Sequence, residues 1–382
     1  MATKSESKAS NICKLICKIL LDPEIKELEI LSSVPDEINS MIAAGRDNDG
    51  VYDKRFYPLI AVRTESIVGI PKSALISAFT YARSQFYPLV KQQTWSTEEA
   101  EIINHTTISL IFVGSENLTA INARKRLLAE NHISQSDEFR INTVILTSRL
   151  KKHSKSPFLW AHREHLLRTM KIENMEHLCK YELQTVMVAG EHHPMNYYAW
   201  SHARLVFADI YRPSLRNPVG STAKRYLEHT VLRIQKWCFA HSSDASAWSF
   251  FTWITKFYVD TTSSSKQARQ DNILLLSRVA ETVQFATTIS LAHASVWGFV
   301  KDLSSNEEYV SERRKQSFIG VITTYATRRR SERYSKPPEH VKDRDRKVHE
   351  QEVLVLDKLR DKDVQSVTDC LLWIKVVNDL KK

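Results

Sequence analysis

The residues best equipped for chemistry crowd into residues 154–167, "SKSPFLWAHREHLL". His162 and His165 stand three apart and can share a helical face, with Arg163 and Glu164 between them and Lys155 and Trp160 just upstream. Two imidazoles at that spacing could begin a metal site, but a zinc set needs further cysteine, histidine or carboxylate ligands. None stands at a telling spacing here, and His192 and His193, ahead of Pro194 in a loop-like stretch, add none. No metal ligand is therefore expected in this chain. What remains is Lys155 at the start of the segment, and its meaning depends on the elements that hold it.

With 382 residues, 42% hydrophobic and 26% charged, the chain has the make-up of a globular protein. Its 8 glycines and 11 prolines are few for a β-rich fold, which tilts the expectation towards helices. Neither GxGxxG nor GxxxxGK[ST] occurs, so the glycine-rich cradles for nucleotide phosphates are excluded. Much of the formal charge of +10 lies in "RRRSERYSKPPEHVKDRDRK", residues 328–347, which reads as a solvated basic linker. Without an RNP motif, a Cys/His finger or interleaved aromatic and basic residues, charge alone does not make a nucleic-acid binder. Cys13, Cys17, Cys179, Cys238 and Cys370 are odd in number and widely scattered, as expected of reduced thiols inside a cell. Cys13 and Cys17 lie one turn apart in "NICKLICKILL", where they read as small core residues of an amphipathic helix. No apolar run is long enough to span a bilayer and no signal-peptide pattern opens the chain, so a cytoplasmic location is expected.

The opening segment recurs. "SPFLWAHREHLL" returns as "NYYAWSHARLVF", with Trp160 and Trp200 in register. "DASAWSFFTWI" and "HASVWGFVKDL" keep Trp248 and Trp297, while "NLTAINARKRLL" has Ile121 in that place. Successive markers are 39, 40, 48 and 49 residues apart, the period of a helical-hairpin solenoid. Four residues before each marker stand Asn117, Ser156, Asn196, Asp244 and His293. All but the last are strong N-cap types, whose side-chain oxygen satisfies a free N–H of the first turn. Pro157 follows Ser156, where a helix tolerates proline best. Each marker should thus lie about one turn inside a new helix and wedge between neighbouring hairpins. His162 recurs as His202, so these imidazoles read as hydrogen bonds between hairpins, not as a catalytic pair.

Apolar spacing places a partner helix ahead of each marked one. Phe139, Val144, Leu146 and Leu150 mark the one ahead of Trp160, and residues 175–194 form the one ahead of Trp200, closed by Gly190 and Pro194 as stop signals. The expected fold is all-α, a right-handed superhelical array of antiparallel helical hairpins. Residues 1–50 should form an N-terminal helical segment, and residues 51–96 an extended stretch around Pro58 and then a helix leading into the array. Five repeats should fill 97–303, and a helix, the basic linker and C-terminal capping helices 304–382.

These tandem N-x-x-x-W-x-x-R hairpins resemble the repeats of protein prenyltransferase alpha subunits. The likeness goes further with one branch, the alpha-subunit repeat-containing proteins of a third geranylgeranyltransferase. It rests there on "PLIAVRTESIVGI" ahead of the first repeat and on the "KSP" of "KSPFLW". The departures are Ile121 for tryptophan, and Ala203, Phe251 and Val300 where the family has arginine.

The resemblance implies the alpha subunit of a heterodimeric protein prenyltransferase, one that moves a geranylgeranyl group to a C-terminal cysteine of a protein substrate. It also implies a beta subunit of the Rab type, an α/α barrel that holds the zinc, with magnesium in the complex, and most of the isoprenoid pocket. No cofactor would be bound by this chain itself. The family's alpha subunit lends the isoprenyl diphosphate a lysine five residues before the second marker, here Lys155, and a tyrosine three before the third, here Tyr197. Both are the implied catalytic residues. Asn196 and Tyr198 are the implied substrate contacts, although the family often has histidine where this chain has Tyr198. Both Lys155 and Tyr197 adjoin a helix N-terminus, whose dipole favours an anion. A non-catalytic repeat scaffold that binds proteins stands as the alternative.

Overall fold

In α1 (Lys4–Leu21), Ile12, Cys13, Ile16, Cys17, Ile19 and Leu20 recur at helical spacing and are all buried. This computed structural model describes residues 4–33, 59–62, 66–215, 219–288, 293–304 and 306–313, with isolated positions up to 320. The basic linker, the expected capping helices and Cys370 lie outside the described residues. The chain folds into two compact units, Met1–Val206 and Phe207–Lys382.

In the first unit, α1 is followed by β1 (Glu27–Leu31), which pairs in parallel with β3 (Ile67–Pro71). The other side of β3 takes β2 (Ile60–Val62) in antiparallel register. The N-terminal segment is therefore not helical throughout. "ELEIL" alternates, with Leu28 fully buried and Glu27 turned to Arg149 at 2.7 Å, which is strand periodicity. Arg140 fastens the segment by donating to the Leu21 carbonyl at 3.1 Å and the Ile25 carbonyl at 3.2 Å.

The helix α2 (Lys72–Leu89) leads into the hairpins, the first of which begins with α3 (Thr97–Val113), opened by a capping box of Ser96 and Glu99. Then come α4 (Leu118–Ala129), α5 (Gln135–Leu146), the single turn α6 (Lys151–Ser154), α7 (Pro157–Thr169), α8 (Met175–His192) and α9 (Tyr197–Leu205). Two details depart from expectation. The helical face does not run on to Leu150, because the Thr147 and Ser148 hydroxyls bond the Thr143 and Ile145 carbonyls at 2.9 and 2.8 Å and end α5. Gly190 is no stop signal: it is buried inside α8, where glycine costs about 1 kcal/mol, and the helix ends only ahead of Pro194.

A π-helical turn, Val206–Tyr211, follows α9. The second unit contains α10 (Ser221–Ala240), α11 (Ala245–Thr262), the short α12 (Lys266–Gln270), α13 (Ile273–Thr288) and α14 (Ala294–Ser304). The architecture is an all-α array of antiparallel hairpins, with one three-stranded sheet among the described residues. No described helix is long and apolar enough to cross a membrane.

Candidate functional site

The repeat register is built from caps outward. Asn117 accepts a hydrogen bond from the Ala120 amide at 3.1 Å, Ser156 from Leu159 at 3.3 Å, Asn196 from Ala199 at 3.2 Å and Asp244 from Ala247 at 3.0 Å. The last marked helix, α14, starts directly after His293. One turn inside these helices, Ile121, Trp160, Trp200, Trp248 and Trp297 are all buried.

Lys155 follows the α6 turn, and its half-buried side chain crosses to the next hairpin. The ammonium donates to the Pro194 carbonyl at 2.8 Å and approaches that of Met195 at 3.5 Å. The Tyr197 amide donates to the same Met195 carbonyl at 3.1 Å. Lys155 and Tyr197 are thereby brought to one loop at the N-terminus of α9. Tyr197 is 64% exposed and Tyr198 40%, so both phenols are open to a ligand, and their rings meet edge-on at 5.6 Å. Half-buried Arg204 interacts electrostatically with Tyr197, and burial lowers its pKa. Met195 holds a left-handed φ of 57° at the loop's apex. Two cations, two phenols and a helix N-terminus suit an anionic group.

Asn196 does not share that exposure. It is fully buried; its Oδ1 caps α9, and its Nδ2 donates to the Ser154 carbonyl at 2.9 Å and hydroxyl at 3.0 Å. Both ends of its amide are thus engaged inside the protein, where it ties two hairpins together.

Sequence spacing alone does not reveal what the repeat arginines touch. Arg124 grips Glu138 of the following hairpin, its Nε lying 2.9 and 2.8 Å from the two carboxylate oxygens. Its Nη1 reaches back to Asn104 at 3.0 Å and Thr107 at 2.9 Å. Arg163 repeats the arrangement: its Nε and Nη2 each lie 2.7 Å from Glu182, and its Nη1 reaches Asn142 at 3.1 Å and Thr143 at 2.9 Å. The imidazoles complete both groups from within the acid's own hairpin: His162 Nε2 donates to Glu138 at 2.7 Å and His202 Nε2 to Glu182 at 2.7 Å. The link between hairpins is thus the arginine, and the histidine braces the two helices of one hairpin. Burial alone would raise both carboxyls. Arg124 with His162, and Arg163 with His202, outweigh it and hold each at about 2. Among the described residues, no group of three or more His, Cys, Asp or Glu is arranged to hold a metal ion.

One junction of the second unit has rings in place of the arginine–glutamate pair. At the arginine position α11 has Phe251, which stacks on Phe299 at 4.3 Å, and Trp248 meets each of these rings at 5.8 Å. Such ring pairs contribute about 0.5–1.5 kcal/mol beyond their burial.

Residues 159–283 match the family described as the ECM9 middle domain. Protein prenyltransferase alpha subunit repeat-containing protein 1 of Danio rerio is 21% identical over 212 residues, which are 50% of this chain and 46% of that protein. The chain thus spans about half the length of that curated relative. With its capped helices and buried markers in one register, this chain is similar over half of its length to a protein prenyltransferase alpha subunit repeat-containing protein.

Proposed function

We propose that the chain is the alpha subunit of a cytoplasmic, heterodimeric protein prenyltransferase, embracing a zinc-bearing beta subunit of the Rab type. The observation that carries this reading is the convergence of Lys155 and Tyr197, 42 residues apart in sequence, on the loop that opens α9. The reaction is geranylgeranyl transfer to a cysteine at the C-terminus of a protein. The sulfur–carbon bond forms at C1 of the isoprenyl diphosphate as the carbon–oxygen bond breaks, and negative charge gathers on the departing diphosphate. Zinc, which the partner would hold, would keep the substrate cysteine deprotonated as the attacking thiolate. This chain's part is the other end of the reaction. The Lys155 ammonium exchanges the neutral Pro194 carbonyl for a charged phosphate oxygen, a stronger hydrogen bond, and the exposed phenols of Tyr197 and Tyr198 donate beside it. Fixed donors aimed at developing charge act on the rate directly.

The test is co-expression with a Rab-type beta subunit and assay of geranylgeranyl transfer with zinc and magnesium supplied. Lys155→Ala should lower kcat by about 100-fold or more; unchanged turnover removes the lysine from the mechanism. A non-catalytic scaffold is the second reading, favoured by Lys155 being occupied by its own fold at Pro194. Stable co-purification without transfer would support it.

A further inference from the structure

The carbonyl of Ser154, the residue before Lys155, is a junction. It accepts from Trp160 Nε1 at 2.8 Å and from Asn196 Nδ2 at 2.9 Å, so the marker of one hairpin and the N-cap of the next grip the same atom. The device is present one hairpin earlier, where the Ser115 carbonyl accepts from the N-cap Ser156 at 3.1 Å. Ser115 and Ser154 each stand six residues before their marker. The N-caps Ser156 and Asn196 therefore each have two duties. The oxygen of each starts its own helix, and its donor ties down the turn of the hairpin before.

At Ser154 the second duty has a chemical consequence, because the next residue carries the ammonium. We propose that Asn196 is a positioning residue: by holding Ser154, it keeps Lys155 over the Pro194–Tyr197 loop, so that cation and phenol address the same anion. This rests on the reading of Lys155 and Tyr197 as diphosphate groups, but the restraint itself can be measured separately. A cap alone is indifferent to the donor, since Asn, Asp and Ser cap about equally well and glycine costs only a few tenths of a kcal/mol.

The experiment uses the full chain, as wild type, Asn196→Ser and Asn196→Gly. Ser156 shows that serine can fulfil both duties at this position; glycine keeps the backbone start and loses the donor. The first readout is the acylation rate of Lys155 by an amine-reactive ester, mapped by mass spectrometry against the exposed Lys151 and Lys152. The second is the affinity for inorganic pyrophosphate by calorimetry. Glycine should speed Lys155 acylation and weaken pyrophosphate binding, each by about tenfold, the worth of one hydrogen bond, while Lys151 and Lys152 react as before. Serine should match wild type in both. Wild-type acylation of Lys155 in the glycine variant, or serine behaving like glycine, overturns the proposal. If acylation responds as expected but wild type binds no pyrophosphate, the diphosphate reading fails and the restraint stands. Should the glycine variant not fold, Asn196→Asp carries the acylation comparison, because Asp244 caps α11 without a donor.

Discussion

Removing Arg163 tests the energetics of the array most directly. The guanidinium is fully buried and makes two 2.7 Å contacts to Glu182, one to Asn142 at 3.1 Å and one to Thr143 at 2.9 Å, beneath the Phe139 ring at 4.2 Å. Arg163→Met keeps the straight stem and most of the volume, so the loss is chiefly electrostatic. It leaves a buried carboxylate with His202 alone, and breaking a buried pair in this way costs about 3–5 kcal/mol. That is a large share of a typical total of roughly 5–15 kcal/mol. Glu182→Leu should cost a similar amount, since it strands the arginine. The double variant Arg163→Met/Glu182→Leu should cost less than the two singles together by at least about 2 kcal/mol, because no unpaired charge remains. The assay is urea denaturation followed by circular dichroism, with hydrogen exchange in α7 and α8 assigning the transition to the first unit. Two compact units need not unfold together. Additive costs, or a single variant losing less than about 1 kcal/mol, would refute the account of the arginine as the link between hairpins.

Acid should weaken the first unit in two stages. Burial depresses His153 to about 4 from an ordinary 6.5, so from pH 6.5 down to 4 the unfolded chain takes up a proton that the folded one refuses. Stability falls with pH across that window by about 3 kcal/mol, and His153→Gln should flatten this limb of a plot of melting temperature against pH. Glu138 and Glu182, ordinarily near 4.5 and held at about 2, extend the loss below pH 4.5, because their unfolded carboxyls protonate first. A melting temperature constant from pH 7 to pH 3 would contradict both assignments. Burial pushes the thiols of Cys17 and Cys179 up to about 11 and about 12, and raises Cys13 and Cys238 as well. Peptide mapping after treatment with an alkylating agent at neutral pH should find these four unmodified in the folded protein and modified in urea; labelling of any of them without denaturant counts against the packing around it.

The readable parts of the chain were those fixed by local chemistry. Asn117, Ser156, Asn196 and Asp244 cap as their types dictate, because a cap bonds an amide three residues on. What depended on distant partners was not readable. Glu138 and Glu182 look like solvated helix acids until the arginines from the preceding hairpin arrive, and β1 looks like a helical continuation until β3 pairs with it 40 residues later. Asn196 fell between these cases: its cap was legible, but its second bond crosses 42 residues to Ser154 and makes an internal tie.

Arg124 and Arg163 offer the same fork to equivalent carboxylates, so the first two junctions are chemically interchangeable. Docking of the first hairpin straight onto the third, with Arg124 against Glu182, is therefore a chemically matched wrong assembly for the folding chain. Ala203 lacks the fork and offers no third copy of it. Synthesis from the N-terminus favours the correct pairing, since Glu138 emerges before Glu182 and reaches Arg124 first.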